Sequence, residues 1–164
     1  MSVSRAIPAM FLILLAACGG ATPAPDRPHG EVYLTLDTLD GEINFSSLRG
    51  KVVVAHFGTT WSLAAQSDQA ELGRAAAGGV PVIEIMLDPD HRLVRTWAAA
   101  ARLSWPVALA SADVIDGKTA FGKVSLVPAT FVLDRGGRIV WGRAGPLPPG
   151  ELALVIVEAS RAPP

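Results

Sequence analysis

The stretch Lys51-Val52-Val53-Val54-Ala55-His56-Phe57-Gly58-Thr59-Thr60-Trp61-Ser62-Leu63-Ala64-Ala65 decides the fold. Lys51 to Phe57 is an almost continuous apolar run of strand length, interrupted only by His56, and such runs suit a central strand covered on both faces. From Ser62 to about Ala77 the chain is Ala-rich and free of proline, which favours helix, and Gly78-Gly79 ends it. A hydroxyl at Ser62, or at Thr60 beside it, is placed to cap that helix. The segment therefore reads as a buried strand, a tight turn and a helix in immediate succession.

Outward from this centre the pattern repeats. Upstream, Val32, Leu34 and Leu36 alternate with Tyr33 and Thr35, the period of a strand exposed on one face. Asp40-Gly41 then signals a hairpin into a short strand near Ile43 to Phe45. Downstream, Val80 to Leu87 is a second buried-strand run. Asp88-Pro89 offers an N-cap and a first-turn proline for a helix whose apolar face is Leu93, Val94, Trp97, Ala98 and Ala101. Trp105 to Leu109 adds a strand and Ala112 to Phe121 a weak, irregular helix. Ala129 to Leu133 and Arg138 to Trp141 flank the turn Asp134-Arg135-Gly136-Gly137 as an antiparallel hairpin. After Pro148-Pro149-Gly150, Leu152, Val155, Ile156 and Ala159 recur at helical spacing. A hairpin, then β-α-β-α-β, then β-β-α implies an α/β domain with a mostly parallel sheet, helices on both faces and an antiparallel edge.

Three segments, in order, resemble one family. Gly50-Lys51-Val52-Val53-Val54 with Phe57 and Trp61 is similar to the strand and active-site turn of TlpA- and ResA-like envelope thioredoxins. Leu126-Val127-Pro128-Ala129-Thr130-Phe131-Val132-Leu133-Asp134 with Gly137-Arg138-Ile139 resembles their cis-proline loop and hairpin, and Asp37 to Leu48 resembles their extra N-terminal hairpin. The resemblance implies a thioredoxin-like fold over residues 31–162, with a central mixed sheet flanked by helices. It also implies thiol-disulfide exchange through a Trp-Cys-x-x-Cys turn, in which one cysteine attacks and the other resolves.

Ser62 and Ala65 occupy those two positions, so neither step has a sulfur. A serine hydroxyl is a far poorer nucleophile than a thiolate and forms no disulfide. The Thr-x-x-Cys turn of peroxiredoxins matches Thr59-Thr60-Trp61-Ser62 in spacing and fails at the same residue, and copper-carrying relatives need two cysteines. Ser62 activated by His56 would be a hydrolase fragment without an orienting acid or oxyanion hole, so a helix cap is the better reading. His56 falls where thioredoxins carry a buried acid and reads as a hydrogen-bonded structural histidine. Glu84, inside Val82-Ile83-Glu84-Ile85, is costly unless paired. Asp88 is accounted for as a cap. His29, His56 and His91 have no metal-ligand spacing, and neither a metal nor another cofactor is expected.

What remains is a binding groove. Trp61 is the exposed aromatic, and Ser62, Val127 and Pro128 frame a loop whose family counterpart pairs its main chain with an extended peptide. The expected role is a non-catalytic module that holds a peptide or an envelope protein. A TlpA-type thiol-disulfide oxidoreductase is the alternative, and a structural subunit without groove function is the second.

Of 164 residues only Cys18 is a cysteine. It follows Leu15-Ala16-Ala17, an apolar stretch from Ala6 and the positive Arg5, the outline of a secretory signal too short to span a bilayer. The tetrapeptide resembles the lipobox of bacterial lipoproteins, which implies a leader over 1–17, lipidation of Cys18 and a membrane anchor. Residues 18–30, rich in Gly, Ala and Pro, read as a flexible tether. Gly19 after the cysteine resembles outer-membrane sorting, facing the periplasm. With 14 basic and 15 acidic residues and no basic run, the chain has no footprint for nucleic acid.

Overall fold

The computed structural model describes residues 30–161. Cys18, the expected leader and the expected tether up to residue 29 lie outside the described residues.

Among the described residues, seven strands form one sheet in the order β2-β1-β5-β4-β3-β6-β7. In chain order these are β1 (Thr35–Thr38), β2 (Gly41–Asn44), β3 (Val53–Gly58), β4 (Val82–Met86), β5 (Val107–Leu109), β6 (Ala129–Leu133) and β7 (Ile139–Ala144). The helices are α1 (Leu63–Ala77), α2 (His91–Ala101), α3 (Ala112–Ile115) and α4 (Glu151–Arg161).

Of these pairings β3–β4 and β4–β5 are parallel, and β1–β2, β1–β5, β3–β6 and β6–β7 are antiparallel. The sheet is mixed, as the family resemblance implies, and the expectation of a mostly parallel sheet is corrected. The N-terminal hairpin docks on β5 through Thr38 opposite Ala108, making a second antiparallel edge. Such a non-local pairing has no local sequence signature.

The steps β3-α1-β4 and β4-α2-β5 run in the same direction across the sheet, so right-handed crossovers put α1 and α2 on one face. The return from β5 to β6 carries α3 to the other. On that second face the core is Val53, Ala55 and Phe57 of β3, Ile83 and Ile85 of β4, and the rings Phe45, Phe121 and Phe131. Phe57 meets Phe121 and Phe131 edge-on at centroid distances of 5.1 and 5.5 Å, the geometry that ring quadrupoles favour. On the first face Val52, Val54, Val82 and Val132 pack under Leu72 of α1 and Leu152 and Ala159 of α4. Met86, Val94 and Val107 form a smaller cluster under α2, to which Trp97 is partly buried.

Three local expectations shift. Asp90, not Asp88, caps α2, its carboxylate accepting from the amides of Arg92 and Leu93, and Leu93 and Ala101 are exposed rather than packed. The helix expected over 112–121 closes after Ile115. Gly117 then turns at φ +73°, its Cα so close to Lys123 that a Cβ would sit 2.8 Å from that backbone. Phe121 therefore enters the aromatic cluster from a loop. The last strand runs beyond Trp141 to Ala144, with a bulge between Val132 and Leu133 of its partner.

Candidate functional site

The site lies where β3 and β4 end and β6 begins. Phe57 pairs with Ala129 and Gly58 with Met86, so the turn after Gly58, the Val127-Pro128 bond before β6 and Asp88 after β4 share one end of the sheet. The Val127-Pro128 peptide is cis. Pro128 is buried and its carbonyl accepts from the Gly145 amide at 2.7 Å, which locks the loop to the end of β7. Among the described residues, the main chain of 125–127 makes no hydrogen bond to another element.

Ser62 caps α1, its hydroxyl oxygen accepting from the Ala65 amide at 3.1 Å. It is 7% exposed, and Ala65 is 1% exposed. Neither is presented as a nucleophile. His56 does not reach Ser62 as a base, because both its ring nitrogens are engaged elsewhere. Trp61 stands out from the turn at 72% exposure, flanked in sequence by Leu63 at 78%, while Leu126 on the facing loop is 54% exposed. Val127 is half-buried.

The turn itself is held by Asp88. Its carboxylate accepts from the Thr60 amide at 3.0 Å and from the Thr60 hydroxyl at 2.7 Å. This corrects the capping role expected for Asp88. A bond across 28 residues competes with the local cap and wins, because Asp90, beyond Pro89, is free to serve α2 instead.

Beneath the turn is a buried ionic cluster. His56 Nδ1 lies 2.8 Å from Glu84 Oε1, and Nε2 lies 3.3 Å from Asp68 Oδ2. All three side chains are 0–1% exposed. A neutral imidazole has one donor, so it would turn a lone pair towards one of two carboxylates; only the imidazolium donates to both. Burial alone pushes the His56 pKa down. The charge on Glu84, hydrogen bonds to Asp68 and Glu84 and the charge on Asp68 outweigh it and raise the pKa to about 9. The cluster is braced from outside: Asp68 Oδ1 accepts from the Leu147 amide at 2.9 Å, and the Gln69 amide group reaches Glu84 Oε2 at 3.4 Å. It also sits directly under Ala65. A Cβ on Gly58 would lie 3.1 Å from Glu84 Oε1, 3.3 Å from Ala65 Cβ and 3.7 Å from His56 Cε1, so glycine is what lets helix and cluster close together here.

His56 is therefore the hydrogen-bonded structural histidine expected, and Glu84 has its partner. Asp68 was missed. Its signal was present in α1, where Ala65, Asp68 and Leu72 recur at core spacing, so an acid falls on the buried face.

No protein-family model matches the chain, and no curated protein matches it in sequence. Solved structures do match. A thiol:disulfide interchange protein of the thioredoxin family from Chlorobium tepidum TLS aligns with a TM-score of 0.67 at 23% identity, over 83% of this chain and 99% of that one. A DsbF homologue from Corynebacterium diphtheriae gives 0.71 at 17% identity, over 87% and 96%. A secreted thiol-disulfide isomerase from Corynebacterium glutamicum gives 0.69 at 19% identity, over 80% and 86%. At these identities the likeness is one of fold: the chain has the thioredoxin-like fold. No helix among the described residues is long and apolar enough to cross a membrane.

Proposed function

We propose that this is a lipid-tethered, cysteine-free thioredoxin-like module of the bacterial cell envelope that holds an extended peptide or partner protein without exchanging disulfides. One observation carries the reading. The two positions where the TlpA- and ResA-like turn has sulfur hold a buried helix cap and a buried methyl group, while the rim around them keeps an exposed Trp61, Leu63 and Leu126 and an unpaired stretch of main chain. Affinity then comes from main-chain pairing beside Val127-Pro128 and apolar contact with Trp61, with no covalent capture. The structural neighbours named as interchange proteins or isomerases share the frame, and their named chemistry needs sulfurs that this turn does not have.

The test is an array of extended, cysteine-free peptides probed with the purified protein. Trp61→Ala is expected to weaken capture by roughly tenfold or more, since exposed aromatics dominate such interfaces. Its unfolding free energy should stay within about 0.5 kcal/mol of the parent, as for an exposed side chain. If the substitution unfolds the domain instead, Trp61 serves the fold rather than a partner, and the structural-subunit reading replaces this one.

The anchor belongs to the same proposal and rests on Leu15-Ala16-Ala17-Cys18. Cys18→Ser is expected to move the protein from the membrane fraction to the aqueous phase of a detergent partition, because more than one acyl chain is needed for stable anchoring and none remains. A variant that stays membrane-bound and is processed at the same bond refutes lipidation at Cys18.

A further inference from the structure

The segment that leaves β7 for α4, Gly145-Pro146-Leu147-Pro148-Pro149-Gly150, contains three prolines and therefore only three amide donors. Each of the three is spent on a different partner. The Gly145 amide donates to the Pro128 carbonyl at 2.7 Å, the Leu147 amide to Asp68 Oδ1 at 2.9 Å, and the Gly150 amide to Glu71 Oε1 at 3.1 Å. The strap is stiff between the first two ties. Gly145 turns off β7 at φ +92°, a conformation that L side chains rarely adopt, and Pro146, the one residue between the ties, has its φ fixed by its ring. The Pro146 carbonyl accepts from Arg143 Nε at 3.0 Å, and the Leu147 side chain is buried among Val52, Val54 and Leu72. The loop at the other end has little hold of its own, since among the described residues the main chain of 125–127 makes no hydrogen bond to another element.

We propose that this strap is a lever and Asp68 a positioning residue for the Val127-Pro128 loop, acting through Leu147, Pro146 and Gly145; this rests on the peptide-holding role proposed above. The buried ionic cluster then sets the register in which the loop meets an extended peptide. Asp68 suits the task because its two oxygens face different partners. His56 holds Oδ2 at 3.3 Å, so Oδ1 is presented to the Leu147 amide in one orientation, and an ionised acceptor makes that bond stronger than a neutral one. Two residues further back along the strap, the Gly145 amide carries the constraint to Pro128. A loop held in its binding register has less to lose in ordering when a peptide arrives.

The full chain is titrated with the strongest-binding extended, cysteine-free peptide of the array. The peptide-free chain is measured by NMR relaxation dispersion at the Val127 and Ala129 amides, which reports exchange on the microsecond-to-millisecond timescale. Asp68→Ala should weaken capture roughly tenfold, about what a hydrogen bond to a charged group is worth, and should bring exchange to both amides. Asp68→Asn keeps an oxygen for the Leu147 amide and should recover most of that loss, with flat dispersion. Pro146→Gly changes an exposed residue and leaves the cluster untouched, yet frees the chain between two ties. It should weaken capture roughly threefold, and it decides the matter if Asp68→Ala does not fold. Parental affinity and flat dispersion in Pro146→Gly, or in a folded Asp68→Ala, overturn the lever, as does an Asp68→Asn variant no better than Asp68→Ala. If Trp61→Ala weakens capture while these variants do not, the peptide-holding role stands and the lever alone falls. If the parent captures no peptide, that role falls, and flat dispersion in Pro146→Gly then removes the lever as well.

Discussion

Replacing His56 by alanine is expected to cost about 3–5 kcal/mol of unfolding free energy at neutral pH, the usual cost of removing one partner from a buried ion pair. The substitution leaves Glu84 and Asp68 facing a cavity, both without exposure to water and without the cation that both now approach. A domain of this size has roughly 5–15 kcal/mol in total, so the variant should be near the edge of folding. Urea unfolding at pH 7 measures it, and a loss under about 1 kcal/mol would show that the cluster is not charged as its geometry requires. The bracing of Leu147 by Asp68 should weaken with it, since the carboxylate that accepts that amide loses its partner on the other oxygen.

The same cluster sets a pH dependence whose sign follows from the direction of the shift. His56 is raised from 6.5 in the unfolded chain to about 9 in the fold. Its contribution is therefore fully present below pH 6.5 and is lost as pH rises through about 9. Stability should fall across that interval at up to about 1.4 kcal/mol per pH unit. The slope should vanish in His56→Ala. This alkaline weakness is the reverse of the usual acid sensitivity of paired carboxylates, and it arises because one imidazolium serves two acids.

Much of this arrangement was legible from sequence, and the gaps share a cause. Local signals were sound: the apolar run Val52 to Phe57 became β3, the Ala-rich segment became α1, Ser62 became its cap, and Gly136-Gly137 became the hairpin turn. Gly137, at φ +75°, also lets Arg49 pass, since a Cβ there would overlap its guanidinium. His56 and Glu84 stood out singly, because a polar residue in an apolar strand must find a partner. What failed was the choice among partners distant in sequence. Asp88 and Asp90 flank the same proline and both obey the capping rule, and only the fold brings Thr60 within reach of the first. The docking of the N-terminal hairpin on β5 and the return of Phe121 from a loop depend in the same way on contacts that no local pattern announces.

Placing cysteines at positions 62 and 65 should give the turn thiol chemistry. The full chain carrying Ser62→Cys and Ala65→Cys is expected to form a disulfide on mild oxidation and to reduce insulin with a dithiol donor, while the parent stays at the uncatalysed background. Residues 62 and 65 span the first turn of α1, a separation that brings Cα atoms into disulfide range. That turn carries no acidic side chain, so its free amides favour a thiolate at the cap. The His56 imidazolium under position 65 favours one there too, given that Ala65 Cβ and His56 Cε1 both lie within contact of the same point above Gly58. Loss of the serine cap should cost only about 1 kcal/mol, which the domain can absorb. Catalysis roughly tenfold or more above background would mean that the turn, the cap and the Val127-Pro128 loop are kept in working register although the parent has no thiol to use there. A folded double variant that forms no disulfide would mean that this register has drifted, and with it would go the main support for an extended peptide lying across Trp61 and Val127.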